Sequence, residues 1–300
     1  MNAWESFQYK LLREASDSLA KRGIPGIRRL GERVGELMWR FVPSRRRLAI
    51  TTMMERLALD EASATALARR SFSHNAQSFL EIALAPEFGF HRPELRIDQP
   101  DLLERLTACD RPLVVTTAHL GAWELSAGLA GDFVTRQSKP GMIVVRNHGN
   151  EAVRRYMFEM RGGRGSQIIG HRNAAFPALK TLRKKGLVGF LADHNAGSDE
   201  AVFLPFLGKV AAVNVGPAVL AVRAEALIWP LVVVREADGY ALLCGDILDT
   251  ATLTGSHEER SRAAAGFYTR TIEDWVRRYP EQWFWMHKRW KTRPPDEAAS

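Results

Sequence analysis

The stretch Pro112–Glu124, PLVVTTAHLGAWE, decides the fold. Its first part, Leu113–Thr117, is apolar and β-branched and reads as a strand buried on both faces. Gly121 loosens the backbone just beyond it, and Leu125–Ala130 carries on as a helix. His119 therefore stands where a strand ends and a turn begins, the edge at which open α/β sheets carry their chemistry. In a continuous helix, the five-residue offset to Glu124 would set the two side chains roughly 140° apart. With a non-helical turn between them and Glu124 entering the helix, the carboxylate is expected to reach the imidazole. A histidine so paired takes a proton from a hydroxyl, while the carboxylate fixes its tautomer and stabilises the imidazolium.

The same alternation continues outward. Strand-like Met142–Val145, Leu187–Leu191 and Leu227–Val234 follow, interleaved with helical Glu124–Ala130, Ala152–Met160, Ala174–Lys185 and Pro217–Ala226. This predicts an α/β fold with a mainly parallel sheet flanked by helices. Tyr240–Cys244, after the Asp238–Gly239 turn, is expected to add antiparallel, and Glu258–Tyr279 reads as a closing helix. Upstream, residues 1–85 read as helices, broken at Gly23–Gly26 around Pro25, with Asp60 capping a helix that runs through Leu67, Phe72, Phe79 and Ile82. A Pro- and charge-rich connector, Pro86–Pro100, leads from this helical region to an α/β domain over residues 86–300.

Three hundred residues with 46% hydrophobic content can bury a large core. The two cysteines, Cys109 and Cys244, are too few and too far apart for a disulfide framework or zinc site. His148, His171, His194, His257 and His287 are scattered without metal-ligand spacing, so no metal is expected. Gly162, Gly163 and Gly165 form no dinucleotide or P-loop fingerprint, and no GxSxG elbow is present. Met1–Ala20 mixes acidic and basic residues into its apolar ones and does not read as a signal peptide.

Charge is concentrated at the start. Residues 1–50 hold eleven Lys/Arg and five Asp/Glu, a net +6 out of the chain's +8. Ile27, Leu30, Val34, Leu37, Met38 and Phe41 recur at helical spacing among Arg28, Arg29, Arg33 and Arg40, followed by Arg45–Arg47. Such a stripe suits an anionic membrane interface, or equally a helix packed on its own domain. No nucleic-acid motif accompanies the basic charge, so no nucleic-acid partner is expected.

HLGAWE at 119–124 resembles the H-x4-D/E box of glycerolipid acyltransferases, in the H-[FL]-G-x-W-E form of the late lipid A (lauroyl/myristoyl) acyltransferases and the related phosphatidylinositol mannoside acyltransferases. Four further blocks keep the family's order: VVRNHGNE at 144–151, FLADHNAG at 190–197, VFLPFLGKVAAVNVGPAVLA at 202–221 and PEQWFWMHKRWKTRP at 280–294. Two departures stand out. Glu151 replaces a usual proline, and His194–Asn195 stands where Gln–Asp is common.

The resemblance implies a glycerolipid-acyltransferase-like fold with an N-terminal membrane-associating region over residues 1–85. It implies an O-acyltransferase with His119 as base and Glu124 as its partner. Acyl carrier protein or CoA is the implied donor carrier, with no other cofactor. A lipid A precursor, lysophospholipid or glycolipid is the implied acceptor, at the cytoplasmic face of the inner membrane; because no uninterrupted apolar run reaches the roughly 18–20 residues of a spanning helix, attachment is expected to be peripheral. An arginine is expected to bind a phosphate or the oxyanion, and the match leaves Arg146, Arg161 and Arg164 open. Asp193 is expected to support the site by orienting an arginine or the acceptor, and Phe203 and Phe206 to line an acyl channel. An acyl-thioester hydrolase and a non-catalytic lipid-binding or scaffold protein are the alternatives.

Overall fold

The computed structural model describes residues 2–146, 149–162 and 165–294. Its N-terminal part is three helices, α1 (Ala3–Phe41), α2 (Pro43–Leu57) and α3 (Glu61–Glu81). Helix α1 is two helices joined across a kink, where Gly23 adopts φ +60° just ahead of Pro25. Asp60 caps α3 by accepting from the Ser63 backbone N–H at 2.8 Å. The second half of α1 lies directly on α3: a Cβ on Gly31 or Gly35 would come within 2.4 Å of Gln77 or Ser73. Small residues are what allow this close approach.

Strand β1 (Leu95–Ile97), α4 (Pro100–Ala108), β2 (Leu113–Thr117), α5 (Leu125–Gln137), β3 (Gly141–Val145), α6 (Glu151–Gly162) and β4 (Ser166–Gly170) follow. Then come α7 (Ala175–Arg183), β5 (Leu187–Leu191) and a hairpin of β6 (Ala201–Phe206) and β7 (Lys209–Asn214). The chain continues with α8 (Gly216–Arg223), β8 (Leu227–Arg235), β9 (Tyr240–Cys244), β10 (Leu248–Asp249) and α9 (His257–Arg278). The main sheet runs β1-β9-β8-β2-β5-β3-β4, and β10 pairs with β8. Strands β2, β3, β4, β5 and β8 are parallel to their neighbours in this series, while β9 joins β8 antiparallel. Both faces of the sheet are covered, which is why β2 shows no polar alternation. Leu113 and Val115 pack with Leu103, Leu125 and Phe133 on one side; Val114 packs with Ala218, Ile228 and Tyr268 on the other.

Sequence patterning yields the central strands but not β1, β4 or the β6–β7 hairpin. β4 is a half-polar edge strand of five residues, and β6 contains Pro205, which argues against a strand unless it lies at an edge. The hairpin turns at Leu207–Gly208, both with positive φ, without the Asn-Gly or Asp-Gly signature that marks such turns. The apolar stripe of the N-terminal region is divided as well. Ile27 is fully buried against the domain, whereas Leu37 and Phe41 point outward. A second exposed row, Trp4, Phe7 and Leu11, lies on the first half of α1. No described helix is long and apolar enough to cross a membrane.

Candidate active site

The parallel register of β2 and β5 builds the centre of the site. Thr117 sits opposite Leu191, and the ladder runs one step further through the Ala192 N–H to the Thr117 carbonyl, 2.8 Å. Two residues past each strand end, His119 and Asp193 therefore meet. His119 Nδ1 lies 2.8 Å from Asp193 Oδ1, and the His119 backbone N–H donates to Oδ2 at 2.9 Å. The indole N–H of Trp283 donates to the same Oδ2 at 2.8 Å. Asp193 is buried; burial opposes its ionisation, but the His119 ring beside it outweighs that and holds the carboxyl far below the usual range. With Asp193 ionised, Nδ1 carries the proton, and Nε2 is left as the nitrogen that can accept one.

The turn between His119 and the next helix is fixed from three sides. Leu120 pairs with Trp283, the Gly121 N–H donates to the Gln282 carbonyl and the Ala122 N–H to the Val233 carbonyl. On the helical side, Ser78 donates to the Gly121 carbonyl at 2.7 Å and itself accepts from Arg235 at 2.6 Å. Arg235 is held by buried Glu81. Gly121 has φ +64°, and a Cβ there would meet the Val233 carbonyl oxygen at 2.1 Å. Gly121→Ala is therefore expected to cost ~3–5 kcal/mol of stability and to displace His119. Chemical denaturation checks this, and a variant as stable as the parent would contradict it.

Glu124 does not turn toward the imidazole. It enters α5 and takes a bidentate pair from Arg161 at the end of α6, 2.8 and 2.6 Å, and the Trp123 indole N–H at 3.2 Å. Both partners are largely buried, with side-chain exposures of 2% for Glu124 and 11% for Arg161. The expected His119–Glu124 contact is thus replaced by His119–Asp193 and Glu124–Arg161. The physical reason is the turn itself: its backbone is consumed by Trp283, Gln282 and Val233, which carries Glu124 toward α6.

His119, Glu124 and Arg161 line one cavity of about 260 Å³ with Arg146, from the end of β3. Phe79, Trp123 and Phe284 form its aromatic wall, and Trp123 lies 5.4 Å from the His119 ring. Arg164, with Gly163 and His148, lies outside the described residues. Arg155 stacks over Tyr9 instead, 4.6 Å from its ring centroid. Phe203 and Phe206 sit in the hairpin, away from the walls of this cavity; Phe206 is buried against Trp283 and Trp290, so its bulk fills core rather than a channel. Aromatic residues that do face the cavity, Phe79 and Phe284, come from α3 and the C-terminal segment. Phe284 lies in the 280–294 block that the sequence singles out, whereas helical spacing reads Phe79 only as part of its helix, and the contact between distant segments is what brings the two together.

A larger cavity of about 710 Å³ opens beside the α1 kink, between Pro25, Phe88 and Arg92. Its described lining residues include no imidazole, and it offers no comparable base. Cys109 precedes the start of β2 while His119 follows its end, and Cys244 is buried with its thiol pushed well up by that burial. Neither cysteine is among the described residues lining the His119 cavity. Among the described residues no group of His, Cys, Asp or Glu is arranged to hold a metal ion.

A family model for bacterial lipid A biosynthesis acyltransferases matches residues 15–292. The chain belongs to that family. It is 30% identical over 203 residues to a lipid A biosynthesis palmitoleoyltransferase of Escherichia coli K12, covering 66% of this chain and 62% of that protein. A lipid A biosynthesis lauroyltransferase of the same organism is 26% identical over 287 residues, 90% of this chain and 87% of the relative. A phosphatidylinositol mannoside acyltransferase of Mycolicibacterium smegmatis is 23% identical over 240 residues, 78% and 75% of the two chains. The His119 cavity, Asp193 and the Glu124–Arg161 pair all lie inside the matched region.

Proposed function

We propose that this protein is an O-acyltransferase that moves a fatty acyl chain from a thioester, on acyl carrier protein or CoA, to a hydroxyl of a lipid A precursor or a similar glycolipid. The observation that carries the reading is His119, held through Nδ1 by a buried carboxylate at the mouth of a parallel sheet. His119 Nε2 takes the acceptor hydroxyl proton as the oxygen attacks the thioester carbonyl. A C–O bond forms, the C–S bond breaks, and the proton passes from His119 to the departing thiolate. Asp193 keeps the proton of the resting ring on Nδ1 and stabilises the imidazolium. Its family membership and the fit of this chemistry to the cavity support direct transfer, without an acyl-enzyme.

The developing oxyanion falls to Arg146. The Gly121 and Ala122 N–H groups are committed to backbone carbonyls, and Arg161 is committed to Glu124. A 260 Å³ cavity holds the reacting ends of two lipids rather than the lipids themselves. The remainder of each is expected to lie along a membrane. Exposed Trp4, Phe7, Leu11, Leu37 and Phe41 on α1, set among its many basic residues, give the protein a face suited to an anionic surface at the inner membrane.

Purified protein given membranes and a panel of radiolabelled acyl carrier proteins and acyl-CoAs should place label in a lipid. Label released only as free fatty acid, at a rate indifferent to added lipid, would make the protein a thioester hydrolase instead. In fractionated cells, high salt and alkaline washing should release at least part of the protein, because surface electrostatics weaken as the Debye length shrinks. Protein that leaves only in detergent would refute a peripheral attachment.

A further inference from the structure

The ring nearest to His119 is one that the acyl-transfer scheme does not use. His194 stacks on it face to face, with centroids 3.7 Å apart and planes 9° from parallel. His287 also lies against His194, at 4.4 Å and 36°. The three imidazoles thus form a column beside a single carboxylate.

The charge state of that column follows from its hydrogen bonds. The Asn195 backbone N–H donates to His287 Nε2 at 2.9 Å, and a ring nitrogen that accepts carries no proton. Asp193 is engaged by the His119 ring on Oδ1 and by the His119 backbone and Trp283 on Oδ2, and it makes no hydrogen bond with His194. His194 Nε2 is buried without a partner, and no hydrogen bond fixes the ring among the described residues. Packing against two other rings is what holds it. Burial is the main cause that pushes His194 down to about 3, and it keeps the ring neutral at working pH.

We propose that His194 is a positioning residue for acyl transfer: its neutral ring holds the plane of His119 and presents a π face to the imidazolium that forms when His119 takes the proton. This rests on the reading of His119 as the base. Asp193 meets the new charge at the ring edge and His194 meets it at the ring face, where an aromatic quadrupole attracts a cation. The contact strengthens only when His119 is charged, so it acts on turnover and not on substrate affinity.

The test uses full-length protein with His194 replaced by Ala, Phe or Lys. His194→Ala should lower kcat about tenfold with KM nearly unchanged. His194→Phe, which restores a neutral ring face, should recover most of that loss, and His194→Lys, which sets a cation against the imidazolium, should be slower than Ala. Independently of turnover, carbethoxylation of His119 should speed up severalfold in the Ala variant and return toward the parent rate in Phe, because a ring freed of its stack swings and presents its in-plane Nε2 to the reagent more often. Wild-type kcat in the Ala variant, or a Phe variant no better than Ala at matched thermal stability, overturns the proposal. If His119→Ala itself leaves transfer intact, the base reading fails instead, while the carbethoxylation rates still report on the stack.

Discussion

Replacing His119 by alanine is expected to lower acyl transfer by about 10²–10⁴ while leaving the melting temperature close to that of the parent. The ring is only partly buried and its loss opens no sealed core. Asp193→Asn should be nearly as damaging, for a reason the hydrogen bonds make specific. Asp193 Oδ2 accepts from two donors, the His119 backbone and the Trp283 indole, so an asparagine must place its amide oxygen there. Its NH₂ then faces Nδ1 and forces that nitrogen to accept, which moves the ring proton to Nε2. His119 would carry a proton on the one nitrogen that has to take it. A wrong tautomer of this kind behind a catalytic histidine is worth about 10⁴ in kcat. Kinetics on folded protein check both variants. Near-parental turnover by Asp193→Asn would mean that Asp193 does not set the tautomer.

That pairing lies within reach of the sequence, but no local pattern states it. Leu113–Thr117 and Leu187–Leu191 are legible as strands from their apolar runs, and each is followed two residues later by a polar side chain. Had the two strands been taken as adjacent and in register, His119 and Asp193 would have met on paper. Periodicity gives no such adjacency, because the order of parallel strands depends on how crossovers pack. The five-residue spacing to Glu124 is the more visible cue, but it points to a carboxylate that the fold pairs with Arg161. Its destination depends on backbone bonds to Val233 and Gln282, more than a hundred residues away. In the N-terminal region, helical spacing located the helices correctly but did not separate buried Ile27 from exposed Leu37, since Gly31 and Gly35 decide which side rests on α3.

Glu124 provides the sharpest test of the difference. If it served His119, Glu124→Gln would slow turnover without touching stability, and Arg161 would not enter. The bidentate contact predicts otherwise. Neutralising Glu124 leaves the Arg161 guanidinium, 11% exposed, without its counter-charge, and breaking a buried pair from one side costs about 3–5 kcal/mol. Glu124→Gln and Arg161→Met should therefore each lower the melting temperature, by roughly 10 °C given how such losses scale in a domain of this size. The double variant should regain much of that loss, because no charge is then stranded. Activity should stay low in all three, since the pair ties the turn after His119 to α6 and closes one wall of the cavity. Thermal melts and a double-mutant cycle measure the coupling directly. Additive destabilisation, with no recovery in the double variant, would show that the two residues act separately and would return Glu124 to the role its spacing first suggested.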